Sequence, residues 1–146
     1  MLEKQIQSDI LVAMKNSDKF KATVLRMLKS AVLLEKTSGK KELTDDDIIM
    51  IIKKQIKQRN DSISEYEKYG REDTVNDLKN EIAILESYLP KQLSSEEIAT
   101  AVDELLKDFP NPTMKDMGAI MKSASSKLGK VADMSLVSQL IRAKLS

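Results

Sequence analysis

Two runs of apolar residues at heptad spacing occupy the middle of the chain. The first run advances by steps of three and four residues, with Arg59 in the one slot that is not apolar, through Ile49, Ile52, Ile56, Arg59, Ile63 and Tyr66. The second run keeps the same steps without a break, through Val75, Leu78, Ile82, Leu85 and Leu89. Gly70 separates the two runs and Pro90 ends the second. Because two apolar seams joined by a short turn leave water by facing each other, the pattern predicts an antiparallel helical hairpin.

Two shorter amphipathic helices precede the hairpin. The first covers residues 2–15, and the second covers about 18–35 with Ser17 as its predicted N-cap. The apolar band of the second helix is wide and indicates burial against two neighbours: Phe20, Val24, Leu25, Met27, Leu28, Ala31, Val32 and Leu34. Lys40 and Lys41 are assigned to the loop that follows.

Three more helices follow the second seam. Ser94 and Glu97 form a capping box for the first of them. Thr113 caps the second, and either Asp133 or Ser135 starts the third.

These patterns predict an all-α protein in two units. Residues 1–90 form an N-terminal four-helix unit built on the long antiparallel hairpin, and residues 91–146 form a small three-helix unit. The composition agrees, because four Gly and three Pro allow few turns and an aromatic fraction of 3% makes the core aliphatic. Runs rich in Val, Thr and aromatic residues, which are typical of strands, are missing.

The chain has no Cys and no His. Without Cys it forms no disulfides, thiolate nucleophiles or zinc–thiolate sites. Without His it lacks the commonest general base near neutral pH and the commonest metal ligand. We therefore predict no catalytic residue, no metal site and no cofactor. Whether the chain has any activity in isolation stays open.

Two polar clusters have a chemical interpretation and a plainer one. Asp45, Asp46 and Asp47 could ligate magnesium, but three adjacent positions at a helix start cannot converge on one ion, which favours helix capping. The segment Lys122–Lys127 offers serines beside lysines for a nucleophilic mechanism. It has helical periodicity and no glycine-rich loop for an oxyanion hole, which favours a solvated helix face.

No segment of the sequence is typical of secretion or of membrane insertion. The start, MLEKQIQSDI, has no apolar signal core, and no stretch of about 20 apolar residues exists anywhere. We therefore expect a soluble cytoplasmic protein with no membrane partner.

Arg59 is the oddest residue of the hairpin seam. An unpaired buried charge is very costly, so a carboxylate across the hairpin is expected to neutralise it. Glu81 and Glu86 are the candidates for a buried ion pair with Arg59. The alternative is that Arg59 anchors a ligand.

Positive charge is concentrated near the end of the chain. From Lys107 to Ser146, seven basic and three acidic residues leave a charge of +4, whereas the whole chain has +1. Five of these cations lie on two adjacent helices and the loop between them: Lys122, Lys127, Lys130, Arg142 and Lys144. Because nucleic-acid backbones are bound by cations at several points, these five residues are a candidate RNA-binding face. The charges by themselves favour an ordinary solvated surface.

Two segments resemble the signature of the YqeY-like family. The first is RNDSISEYEKYGRED followed by EIAILESYLPKQLSSEEI, and the second is DMGAIMKSASSKLGKVADMSLVSQLI. They lie in the order and at the separation of the family, so the resemblance covers nearly the whole chain. That family is similar to the tail domain of GatB, the B subunit of the aspartyl/glutamyl-tRNA amidotransferase, in which the tail contacts tRNA. The resemblance therefore implies a GatB/YqeY-type three-helix unit that contacts tRNA.

The resemblance also implies a function by association. It points to glutamine-dependent carbon–nitrogen ligation on mischarged aminoacyl-tRNA, with this chain as a non-catalytic tRNA-binding accessory module. The alternative is a protein–protein adaptor that docks an amidotransferase or another partner through the N-terminal bundle, with a dimer through that bundle as a variant. An independent enzyme is the third choice. The sequence leaves the oligomeric state open.

Overall fold

The computed structural model describes residues 1–39 and 42–146, so the loop assignment of Lys40 and Lys41 lies outside the described residues. The described chain contains α-helices and one short 3-10 helix and no strand, which confirms the all-α prediction. It forms two compact units, Met1–Leu89 and Pro90–Ser146. The helices of the first unit are α1 (Leu2–Lys15), α2 (Lys19–Thr37), α3 (Asp45–Lys68) and α4 (Glu72–Glu86). Those of the second are α5 (Ser95–Leu106), the 3-10 helix η1 (Met114–Asp116), α6 (Met117–Leu128) and α7 (Met134–Leu145).

Helices α3 and α4 form the predicted hairpin. Thr44 and Asp47 start α3 with a capping box, in which each side chain accepts a hydrogen bond from the backbone N–H of the other residue. The helix then runs for 24 residues without interruption. Gly70 has φ +69, a left-handed backbone that glycine adopts at little cost, and it reverses the chain into α4.

Two apolar clusters divide the hairpin along its length. The main cluster joins α1 and α2 to one half of it, and its buried members are Ile6, Ile10, Val24, Leu25, Leu28, Val32, Ile48, Ile52 and Leu85. The second cluster is buried between α3 and α4 alone, and its members are Ile63, Val75 and Ile82. The half of the hairpin beside the Gly70 turn is therefore stabilised by its own two helices.

A polar contact ties α1 to the end of α4. The hydroxyl of Tyr88 donates a hydrogen bond to the carboxylate of Asp9. Burial, reinforced by the negative charge of Asp9, raises the pKa of Tyr88 well above its usual range, so the hydroxyl stays a donor at all ordinary pH values.

The wide apolar band of α2 is only partly covered. The helix contacts α1, α3 and α4. Its residues Val24, Leu25, Leu28 and Val32 are buried in the main cluster. Along the other edge of the band, Phe20, Met27 and Leu34 remain 42%, 49% and 70% exposed. The neighbours that this chain supplies therefore cover one side of the band and leave one edge exposed.

The predicted cap of α2 is wrong by one residue. The side chain of Asp18, not Ser17, accepts a hydrogen bond from the backbone N–H of Lys21, at 3.1 Å. Ser17 has φ +58, and the N–H of Asp18 donates to the carbonyl of Ala13. The short connection from α1 needs a left-handed residue at Ser17 to reverse direction, which leaves the capping position to Asp18.

The second unit has its own apolar cluster. Ser94 and Glu97 form the predicted capping box at the start of α5. The buried members of this cluster come from α5, α6, α7 and the loop before α7, and they are Ile98, Val102, Leu105, Ile120, Ala124, Ala132, Val137 and Ile141. Three helices thus enclose one small aliphatic core.

Separate folding of the two units is a prediction that proteolysis can test. Lys91 is exposed, and the chain around it lies outside any helix, so trypsin should cut there before it cuts elsewhere. The N-terminal fragment should keep its helical circular dichroism because its cluster is complete within residues 1–89. Cleavage at other loops with Lys91 left intact would show that the units share their stability.

Candidate nucleic-acid interface

The five predicted RNA-contacting cations all lie exposed on the second unit. Lys122 is in the middle of α6 and Lys127 in its last turn. Lys130 follows in the loop, and Arg142 and Lys144 lie in the last turn of α7. Helices α6 and α7 contact each other, and both contact α5. The fold therefore brings the five cations onto one three-helix scaffold.

Two of the five cations are paired with carboxylates. Lys127 and Lys144 each lie three residues after a buried residue, so they continue the inward faces of α6 and α7 past the core. There they meet carboxylates of α5 and of the turn after it, which together are called the acidic side of α5. Lys144 Nζ is 2.9 Å from Asp103 Oδ1 in α5, and Lys127 Nζ is 3.4 Å from Oδ2 of Asp108, just past the end of the helix. Both pairs are well exposed, so each is worth only about 0–1 kcal/mol and a phosphate can displace the carboxylate.

The acidic residues of α5 also change the charge of the site. The second unit as a whole has eight basic and seven acidic residues, a net charge of +1. The value of +4 came from counting only the residues after Leu106, which left out the carboxylates of α5. Because the net charge of the unit is small, a cation contributes local positive charge only where it lies on a face without these carboxylates.

Lys122 and Arg142 face away from the acidic side of α5. Lys122 is two residues from both Ile120 and Ala124, which places it opposite the buried face of α6. Arg142 follows the buried Ile141 and is turned by about 100° from it. Within residues 1–39 and 42–146, neither side chain forms an ion pair. These two cations can therefore pair with the negative charge of a ligand.

The backbone of Lys130 is held in place by the start of the unit. The side-chain amide of Gln92 donates to the carbonyl of Lys130, at 2.9 Å. The N–H of Leu93 donates to the carbonyl of Val131, at 2.7 Å. Two hydrogen bonds thus hold the backbone of the loop between α6 and α7 at Lys130 and Val131.

Gly129 is required for that loop by close packing. Its N–H donates to the carbonyl of Ser125 at 3.0 Å, and a Cβ added at Gly129 would lie 2.5 Å from the same oxygen. A backbone oxygen cannot move aside as a flexible side chain can. By contrast, a Cβ at Gly118, in the first turn of α6, meets nothing within 4 Å.

The two glycines should therefore respond to alanine in opposite directions. Gly129→Ala should lower the free energy of unfolding of the second unit by about 1–3 kcal/mol, because the loop must shift to relieve the clash. Gly118→Ala should raise it by up to about 1 kcal/mol, because alanine favours the helix and restricts the unfolded chain. Urea denaturation of both variants tests this, and a destabilised Gly118→Ala with a neutral Gly129→Ala would contradict the loop geometry.

The serines of the Lys122–Lys127 segment lie on α6, and Ser125 and Ser126 are exposed. A shallow groove beside the end of α6 is lined by Ala101, Glu104, Leu105, Asp108, Lys127 and Leu128. Its polar groups are one ammonium and two carboxylates, and its lysine already contacts Asp108. This arrangement does not bring a general base to either serine.

The three consecutive aspartates at the start of α3 have structural partners. Asp47 belongs to the capping box. Asp45 accepts hydrogen bonds from the Met1 ammonium and from the N–H of Leu2, and these hydrogen bonds lower the pKa of its carboxyl. No group of three or more potential metal ligands exists in the part of the chain that the structure describes.

Arg59 lies buried between the two clusters of the hairpin, with 7% of its surface exposed. Its Nε donates to Oε1 of Glu81 at 3.2 Å across the hairpin. Its Nη1 donates to the backbone and side-chain oxygens of Gln55, at 3.1 and 2.9 Å. Glu86 is exposed near the end of α4, away from this network. The structure thus brings Arg59 together with Glu81 and not with Glu86.

Sequence comparison finds similar proteins in fungi. A protein named "Altered inheritance of mitochondria protein 41, mitochondrial" from Vanderwaltozyma polyspora is 31% identical over 126 residues, which cover 84% of this chain and 66% of that protein. The protein of the same name from Kluyveromyces lactis is 35% identical over 71% of this chain and 58% of its own length. That from Pyrenophora tritici-repentis is 27% identical over 94% and 77%. The chain thus spans about two thirds or less of the first two relatives.

The names of these relatives overturn the expectation of a cytoplasmic protein. Each of them is named as mitochondrial. The expectation was wrong because a missing apolar signal core speaks only against secretion, whereas mitochondrial import uses amphipathic, arginine-rich segments.

None of the helices within the described residues is long and apolar enough to cross a membrane.

The family assignment extends over almost the whole chain. The family model described as "Yqey-like protein" matches residues 3–145. This range includes the hairpin and the cation-bearing helices of the second unit. The chain therefore belongs to the Yqey-like protein family.

Proposed function

We propose that the protein is a non-catalytic accessory module that binds structured RNA, with tRNA as the leading candidate, through the cations of its second unit. The observation that carries the proposal is the placement of Lys122, Lys130 and Arg142. All three are exposed, on α6, on the loop after it and on α7, and Lys122 and Arg142 lie on faces other than the acidic side of α5. Several cations on a rigid scaffold suit the spaced phosphates of a folded RNA.

The chemistry of this surface favours recognition of helical shape over recognition of bases. The only aromatic residue of the second unit is Phe109, which is half-buried against the core. Single-stranded bases are usually bound by stacking on exposed aromatic side chains, whereas RNA helices are bound through phosphates and ribose hydroxyls. We therefore expect weak binding, with a Kd on the order of 10⁻⁴ to 10⁻⁶ M at physiological salt.

The resemblance to the GatB tail supports tRNA as the RNA. On this proposal the protein serves glutamine-dependent carbon–nitrogen ligation by associating with an amidotransferase, and it contributes no chemistry of its own. The mitochondrial names of the fungal relatives favour a mitochondrial setting.

Charge reversal at the two unpaired cations tests this function. Lys122→Glu with Arg142→Glu should weaken binding of folded tRNA by about tenfold or more, because two phosphate contacts become repulsive. Lys54→Glu with Lys79→Glu changes the net charge equally in the first unit and serves as the control. Fluorescence anisotropy with labelled tRNA measures both. If both variants lose the same amount of tRNA affinity, the effect comes from net charge and not from this face. If neither variant loses affinity, the proposed face is refuted.

A protein–protein adaptor is the second candidate, and one observation favours it. Of the twelve large hydrophobic residues that are exposed among those described, seven lie on α1 and α2. This surface belongs to the first unit, so an adaptor function predicts partner binding that Lys122→Glu with Arg142→Glu leaves intact. The two candidate functions are therefore separable by variants.

A further inference from the structure

We infer that Phe20, Met27 and Leu34 form a docking stripe on α2 for an acidic amphipathic helix of another protein. This inference deepens the adaptor function, on which it rests, and it is independent of RNA binding. Helix-in-groove docking uses apolar anchors that repeat along one face. The stripe has three such anchors, each about half exposed or more.

The stripe is straight and continuous with the core. Its three members are seven residues apart, so they return to nearly the same direction and span about 21 Å at 1.5 Å per residue. Between them, Val24 is buried in the main cluster and Ala31 is half-buried. Phe20, Val24, Met27, Ala31 and Leu34 together keep the steps of a heptad seam. A second helix laid on this seam would extend the core and bury all three anchors.

The cations beside the stripe indicate the charge of its partner. Lys19 and Arg26 directly precede Phe20 and Met27, so they form a parallel row turned by about 100°. Both are exposed, and neither pairs with a carboxylate in the part of the chain that the structure describes. The polar contact of Arg26 is the sulfur of Met14, 3.0 Å from Nη2. This row is therefore available to acidic side chains of a bound helix.

The wider surface of α1 and α2 also has a net positive charge. Residues 1–37 contain seven bases and four acids. Three of the acids are engaged: Glu3 with Lys36, Asp9 with the Tyr88 hydroxyl, and Asp18 as the cap of α2. Glu35 lies beside Leu34 on the flank opposite the cationic row. The rim of the stripe thus complements a helix with carboxylates beside its apolar face.

A second copy of this chain fits the stripe less well. In an antiparallel pair the two-fold axis would pass near Met27, because that places Phe20 of one copy against Leu34 of the other. The same axis would bring Arg26 next to its own copy, and like charges at an interface are costly.

Two matched peptides test the proposal. Both are helical, about 18 residues long to span the stripe, with leucines at heptad spacing. One has glutamates beside the leucines, and its twin has lysines there. Titrated against the full chain, the acidic peptide should bind at least about tenfold more tightly than the basic one. Met27→Glu should weaken it by a similar factor, and Lys19→Glu with Arg26→Glu should abolish the preference between the twins.

Controls separate this inference from its alternatives. Leu11→Glu, at a residue 63% exposed on α1, should leave peptide binding unchanged, as should Lys122→Glu with Arg142→Glu. Equal affinity for the two peptides, or affinity unaffected by Met27→Glu, overturns the stripe. Loss of binding with Leu11→Glu instead keeps the adaptor function but moves its surface to α1. A dimer in sedimentation, or binding to phosphatidylserine vesicles, that Met27→Glu abolishes would assign the stripe to a different occupant and overturn the proposal.

Discussion

Replacing Glu81 by leucine should lower the free energy of unfolding of the first unit by about 2–4 kcal/mol, because it leaves the Arg59 guanidinium buried without its carboxylate. The side chain of Arg59 is only 8% exposed, against 19% for Glu81. Arg59 therefore cannot regain hydration without opening the hairpin. The hydrogen bonds to Gln55 would remain, but they supply no charge.

The reverse substitution should be much milder. Arg59→Met removes the buried charge itself, and Glu81 can turn its carboxylate toward water from its more exposed position. The double variant Arg59→Met with Glu81→Leu replaces the pair by apolar packing and should be neutral or slightly stabilising. Urea denaturation of all three variants completes a double-mutant cycle. If Glu81→Leu alone lowers the free energy of unfolding by less than about 0.5 kcal/mol, the Arg59–Glu81 pair contributes no more to stability than an exposed ion pair does.

Leu85→Ala should destabilise the first unit by about 2–5 kcal/mol, the usual range for a truncated core leucine. Leu85 is fully buried, and it is the buried α4 residue of the cluster that joins the hairpin to α1 and α2. Truncating its side chain leaves a cavity where the hairpin packs against α1 and α2. The same substitution at Leu34, which is 70% exposed, should change stability by no more than about 0.5 kcal/mol.

Hydrogen exchange shows where the Leu85→Ala effect is located. Amides of α3 should lose protection, and amides of α7 should keep it if the two units unfold independently. Equal loss of protection in both helices would indicate one cooperative unit. A Leu85→Ala variant as stable as Leu34→Ala would contradict the central position of Leu85 in the core.

The sequence predicted those features that depend on residues close together in the chain. The heptad steps located α3 and α4, because the period of an apolar seam is a local property. The capping box at Ser94 was recognisable for the same reason, since its two partners are three residues apart. Asp133 was one of two candidates for the start of α7, and it accepts the N–H of Ser135 there.

The features that sequence reasoning missed depend on residues far apart in the chain. Lys127 and Asp108 are 19 positions apart, and Lys144 and Asp103 are 41 apart. A count of charge along the chain does not show such pairs. One signal was present, because both lysines lie three positions after a buried residue and are therefore on the edge of the buried helix face, within reach of the carboxylates. Similarly, the width of the apolar band on α2 indicated that the band contacts other helices. It did not show whether helices of this chain cover the whole band.

The most direct test of the proposed RNA contact is the salt dependence of tRNA binding by the wild type and by Lys122→Glu with Arg142→Glu. If these cations contact phosphates, log Kd for the wild type should rise linearly with the logarithm of salt concentration, because each neutralised phosphate releases counterions. The variant should have a slope smaller by about two, one unit per lost contact, and an unchanged melting temperature. The same slope and the same affinity in both proteins would contradict RNA binding through this face.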